Sequence, residues 1–192
     1  MTRHFVGKYA ILKDMQTLFD YKDADDLKRG VLKMGRISAI TLTDQPEQRV
    51  LSIKTETTMK AMQTEIEACR EKILTYLILL GELPAGPSFT VYYSFTKQNV
   101  ELEVGYPVAK ILPPRDEISM SAIPGGKKVS CLHIGPYNEI PKIYQELDTW
   151  LEANDYETDG TSVETYYNGE GYSPEEYLTK IELPIQEKDE PA

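Results

Sequence analysis

Cysteine is scarce in this 192-residue chain: there are two, Cys69 and Cys131, and neither stands in a Cys-x-x-Cys or Cys/His spacing. That argues against a zinc site or a dithiol pair and leaves no cofactor to expect. Both read as free, buried thiols of a reducing compartment. Long apolar runs are also missing. The longest, Ile73 to Leu80, is far too short to span a bilayer. The opening Met1-Thr2-Arg3-His4-Phe5-Val6-Gly7-Lys8 lacks an apolar secretion segment, so a cytoplasmic protein without membrane contact is expected. No glycine-rich phosphate signature occurs. Positive charge is in short supply: the net charge is −10, and residues 1–36, with eight Lys/Arg against five Asp/Glu, leave −13 for the rest. An acidic body repels nucleic-acid phosphates and modestly attracts cations, so no direct nucleic-acid binding is expected. For most of these charges the simplest role is solubility.

What is present is one unit written twice. Gln48-Arg49-Val50-Leu51-Ser52-Ile53 and Lys127-Lys128-Val129-Ser130-Cys131-Leu132 both read as strands opening with basic residues. A helical stretch comes after each, then a Tyr-Tyr strand (Tyr92-Tyr93, Tyr166-Tyr167), then a closing strand with proline near its end (Val100–Val108, Thr179–Ile185). Repeated strand–helix–strand–strand modules predict an α+β fold: antiparallel-dominated sheets, two main helices and a ligand groove where the halves meet. The expected organisation is an N-terminal appendage (1–36), a domain over 37–186 with modules at about 37–110 and 117–186, and a flexible tail (187–192). In the appendage a DNA-reading helix pair is the sharper alternative to simple packing, but no turn-linked pair is evident.

Within the first module Ile40 and Leu42 alternate with Thr41 and Thr43 as a half-buried strand. Met62, Ile66, Cys69, Ile73, Tyr76, Leu77 and Leu80 fall at helical spacing, stopped by Gly81. Phe89, Val91, Tyr93 and Phe95 are expected on one strand face, with Thr90, Tyr92 and Ser94 on the other. Residues 118–123 read as an edge strand. The second helix, from about Asn138 to Ala153, carries a stripe of Ile140, Ile143, Tyr144, Leu147 and Leu151, with Asn138 as its expected N-cap and Pro141 tolerated in its first turn. The first module has five more residues between helix start and tyrosine pair, expected around Leu77 to Pro87.

His133-Ile134-Gly135-Pro136-Tyr137 before that helix, Trp150-Leu151-Glu152 within it, Glu164-Thr165-Tyr166 after it and the closing Thr179–Ile185 form an ordered series. It resembles the GyrI-like small-molecule-binding domain, also called the AraC-type effector-binding domain, over roughly residues 37–186, in its standalone form. The resemblance implies a duplicated fold with a pocket between its halves. It implies bulky, often cationic, aromatic ligands contacted by a buried glutamate, here Glu164, and a strand tyrosine, here Tyr166. Other members sequester drugs, protect DNA gyrase or hydrolyse cyclopropane-containing toxins. The chain departs from the pattern in its appendage and in Thr57-Thr58, which stand where the second half has Pro136-Tyr137.

The asymmetry between the copies is the functional lead: Thr90 stands where the second copy has Glu164. A carboxylate facing a tyrosine-rich groove is partly desolvated, with a raised pKa unless hydrogen-bonded. Tyr166, two residues on, shares its sheet face and can donate to it. Thirteen Tyr against four Phe suit a semi-wet pocket, whose further candidate walls are Tyr137, Tyr92 and Trp150. The blander alternatives are a solvated ion pair for Glu164, a helix staple for Tyr137 and core filling for Trp150. His133 reads as structural, with no nucleophile paired to it. Three functions are open: binding of a bulky hydrophobic or cationic aromatic molecule; a hydrolase using Glu164; or an interaction module whose acidic body meets a protein partner, a regulator or a second copy.

Overall fold

The computed structural model describes residues 34–188, Lys97 and Glu170 excepted. The appendage reading for residues 1–33 and the tail reading for 189–192 therefore lie outside the described residues. The tyrosine strands form the centre: β4 (Ser88–Phe95) pairs antiparallel with β9 (Ser162–Tyr166), and Thr90 sits directly opposite Glu164. Outward from β4 come β5 (Val100–Pro107), β3 (Gln48–Thr57) and β6 (Ser119–Ile123). Outward from β9 come β10 (Leu178–Pro184) and β7 (Gly126–Ile134), whose far edge is shared by β1 (Gly35–Arg36) and β2 (Thr41–Gln45). The result is an α+β fold with a nine-stranded antiparallel sheet, covered on one face by α1 (Met62–Leu79) and α2 (Ile140–Ala153). Gln186–Glu187, the last residue of the expected domain and the first of the expected tail, pair with Tyr156–Glu157 as a separate ribbon, β11 with β8. No helix of the described residues is long and apolar enough to cross a membrane.

The edge strands are exchanged between the modules. β2, expected in the first module, pairs with β7 of the second, while β6, which precedes β7 in the chain, pairs with β3 of the first. Only Pro46 and Glu47 join β2 to β3, so their ends are at most about 11 Å apart. In a flat sheet six strand spacings would separate them, about 29 Å. The sheet must therefore curl, and the same holds for the Pro124-Gly125 link from β6 to β7. The two links meet: a Cβ on Gly125 would lie 2.7 Å from the Glu47 nitrogen and 2.8 Å from the Gln45 carbonyl oxygen. Beneath them Val50, Phe89, Val91, Ile123 and Val163 form a core on the face away from the helices.

On the helical face each module has its own core. α1 lays Ile66, Cys69, Ile73, Tyr76 and Leu77 on Leu51, Ile53, Leu102 and Val104. α2 lays its whole expected stripe on Val129, Cys131, Ile181 and Leu183. Each such aliphatic side chain contributes about 1.5–3 kcal/mol on burial. Burial also fixes how the modules correspond. Ile66, Cys69, Ile73 and Leu77 match Ile140, Ile143, Leu147 and Leu151, every pair 74 positions apart, and so are Ser88/Ser162, Thr90/Glu164 and Tyr92/Tyr166. The extra residues of the first module thus lie before α1, between Thr57 and Met62, and not around Leu77 to Pro87.

Two local expectations are corrected. A bulge between Tyr92 and Ser94 shifts the alternation of β4, so Phe95 joins the helical face and stacks on Tyr92 at 5.3 Å. Asn138 does not cap α2: a single 3-10 turn, Tyr137–Glu139, precedes the helix, whose flanking residue is Glu139.

Candidate functional site

The site lies on the helical face, over the central β4–β9 pair, in the seam between α1 and α2. Period-two alternation puts Ser162, Glu164 and Tyr166 of β9 beside Thr90 and Tyr92 of β4 on this face. All five are buried. Glu164 is held at both oxygens: the Tyr144 hydroxyl donates to Oε1 at 2.9 Å, and the Tyr166 hydroxyl donates to Oε2 at 2.9 Å. Tyr144 Oη also lies 3.0 Å from Ser162 Oγ. The Tyr92 and Tyr166 hydroxyls are 3.1 Å apart and share a hydrogen bond. The expected pairing of Glu164 with Tyr166 is present, and Tyr92 closes the chain from the opposite module.

Burial pushes the Tyr92, Tyr144 and Tyr166 phenols well above their ordinary 10, and the Glu164 carboxylate adds to the rise at all three. They therefore stay neutral and serve as fixed donors and apolar walls. Tyr137, in the turn before α2, sets its ring edge-on to Tyr166 at 5.5 Å and lies 4.9 Å from Tyr177. Trp150 is not brought to this cluster: it stacks flat on Tyr156 at 6.0 Å, on the flank of the α2 core.

Three participants were not singled out as site residues from the sequence. Tyr144 counted only as part of the buried stripe, and Ser162 is a small residue at a strand start. The third is Arg70 of α1, whose guanidinium carbon lies 4.3 Å from the centre of the Tyr166 ring. The correspondence between modules is the signal that finds it: Arg70 lies 74 positions before Tyr144, the same offset that relates the matched core residues of α1 and α2. Both helices therefore aim one residue at the same cluster.

Other features belong elsewhere. Glu103 is buried on the opposite sheet face, where Tyr93 and Ser52 donate to it. His133 is buried, with Nε2 3.4 Å from the Pro136 carbonyl oxygen, and burial lowers its pKa from 6.5. Cys69 and Cys131 are free and buried, and burial pushes both thiols up to about 11. Two clefts, of about 470 and 450 Å³, open away from Glu164. The first lies on the opposite face beside Arg49, Lys128 and Tyr167, and the second beside Tyr76 and Arg115.

Known proteins share this arrangement of elements. The GyrI-like small molecule binding domain family matches residues 38–186. Among solved structures, the EcmrR C-terminal domain is 21% identical over 79% of this chain and 99% of that one, with a TM-score of 0.65. A hydrolase from Listeria innocua is 14% identical over 77% of this chain and 91% of that one, with a TM-score of 0.58. SAV2435 bound to tetraphenylphosphonium is 10% identical over 78% of this chain and 94% of that one, with a TM-score of 0.52. Likeness at these identities speaks for the fold alone. No curated protein matches the sequence.

Proposed function

Because the chain belongs to the GyrI-like family of small-molecule-binding domains, we propose that the seam around Glu164 binds bulky, hydrophobic, cationic aromatic molecules. The observation that carries this is a buried carboxylate held by two tyrosine hydroxyls between two helices. A delocalised cation entering there gains Coulomb attraction at reduced dielectric, and its flat body gains contacts of about 0.5–2 kcal/mol on each tyrosine face. Ring walls discriminate weakly among such guests, which favours broad specificity. That SAV2435 carries tetraphenylphosphonium on a similar fold supports the same ligand class here.

Hydrolysis is less well supported. Glu164 as a general base needs a water and a second group of opposite role. Burial pushes the pKa values of the Tyr144 and Tyr166 hydroxyls that hold it well above 10, which makes them poor proton-transfer partners, and the buried Glu103 is on the far face.

Titration of the protein with tetraphenylphosphonium or a lipophilic cationic dye, read by calorimetry or fluorescence, tests the reading. Glu164→Gln keeps the shape and removes the charge, and is expected to weaken binding at least tenfold, about 1.4 kcal/mol. Unchanged binding by Glu164→Gln would remove Glu164 from the site.

A further inference from the structure

We propose that Arg70 is a built-in competitor for the ligand: its guanidinium covers the face of Tyr166 that a cationic guest would use, so a guest binds by displacing it. The inference rests on the function proposed above and names what regulates that site.

The geometry is that of a bound cation. The guanidinium carbon stands 4.3 Å from the ring centre, inside the roughly 6 Å range of a cation–π contact. Arg70 is a fixed positive charge with a planar face that stacks on aromatic rings. Its field reaches the cluster, since it opposes the upward pKa shifts of Tyr92, Tyr137 and Tyr166. The correspondence of modules makes this a difference between the halves. Thr90 answers to Glu164, and Arg70 answers to Tyr144, so the second module supplies the acid and the first supplies the base, both at one seam.

Arg70 is held there loosely. Among the described residues its ion pair is to Glu67, a turn earlier on the same helix, at 3.0 Å, and the Glu67 side chain is half exposed. Its Nε is buried without a hydrogen-bond partner among the described residues. A buried donor left without an acceptor weakens the stacked position. Because Glu67 lies on the same helix and its side chain is half exposed, a guest's displacement of the guanidinium toward solvent would need side-chain rotation only and could keep this ion pair. A small, strongly hydrated cation offers Tyr166 no more than Arg70 already does. A large delocalised cation offers more ring contact, so Arg70 sets a threshold that favours bulky guests.

The test is tetraphenylphosphonium titration of wild type, Arg70→Gln, Arg70→Lys and Glu164→Gln, with thermal unfolding of each protein as a check on folding. Arg70→Gln is expected to bind about tenfold tighter than wild type, and Arg70→Lys, which keeps the charge without the planar face, is expected to fall between them. Binding by Arg70→Gln when wild type shows none also supports displacement, in its strongest form. Equal or weaker binding by a folded Arg70→Gln overturns the inference, while loss of binding in Glu164→Gln alone leaves the site assignment standing. If neither wild type nor Arg70→Gln binds, the competitor and the proposed function fall together. Should Arg70→Gln not fold, Arg70→Lys decides alone: affinity at or below wild type overturns the proposal.

Discussion

A buried histidine is tolerated while it is neutral, and for His133 that ties stability to pH. Burial lowers its pKa from 6.5, so in the folded chain it resists a proton that the unfolded chain accepts. The unfolded state then binds more protons just below pH 6.5, and stability falls as pH drops from there toward the lowered folded value; above 6.5 the contribution is complete. Urea midpoints at about pH 7.5 and about pH 5.5 should show wild type losing stability on acidification. His133→Gln should lose less over the same interval, whatever its absolute stability, and parallel profiles would refute the assignment. Legibility at this scale tracked chemistry. Glu164 and Tyr166 stood out because the repeat puts Thr90 where the second copy has the acid, and because Glu164-Thr165-Tyr166 belongs to the ordered series that carries the family resemblance. Tyr144 hid within an apolar stripe, where its hydroxyl leaves no periodic mark. Arg70 hid better, because charged residues on a helix flank are ordinary and only the three-dimensional register shows that it faces a ring.

At the level of elements, what was readable depended on whether the determining contacts are local. The α2 stripe was visible in full, since a helix that buries one face repeats its apolar residues at the helical period. α1 was visible as a helix, yet Leu74, Ile78 and Leu79 are exposed on it, so apolar residues did not mark a single face. The β4 bulge left no signal in its Tyr-Tyr-Ser run and moved Phe95 to the opposite side. The exchange of β2 and β6 was also silent, because their partners lie far along the chain. What makes the exchange sterically feasible is the absence of a side chain at Gly125, where the two links cross. Gly125→Ala should force the links apart and destabilise the protein by about 1–3 kcal/mol, as overpacking does. Chemical denaturation checks this, and a change under about 0.5 kcal/mol would show that the crossing can relax.

For the molecule as a whole, the exchange decides whether the modules are separable. The repeat alone suggests two self-contained halves, and each does have its own helix-covered core. The pairing argues otherwise. The first half supplies β2 to the edge of β7, and the second supplies β6 to the edge of β3. A lone half would expose both the outer edge of its own first strand and the inner edge of β4 or β9, with unpaired backbone groups along each. It would also lose the shared core of Val50, Phe89, Val91, Ile123 and Val163, which draws on both halves. A fragment of residues 34–112 or 113–188, cut in the Leu112-Pro113-Pro114 linker, is therefore expected to lack a cooperative unfolding transition and to aggregate. Mixing the two should restore one. Circular dichroism melts of each fragment and of the mixture measure this directly, and a cooperative melt of either fragment alone would show that edge exchange is incidental to the fold. Because Glu164 and Tyr166 come from one half and Tyr92, whose hydroxyl bonds to that of Tyr166, from the other, the mixture, and neither fragment alone, should also recover tetraphenylphosphonium binding. A lone second half that bound the cation would mean that the carboxylate works without the seam.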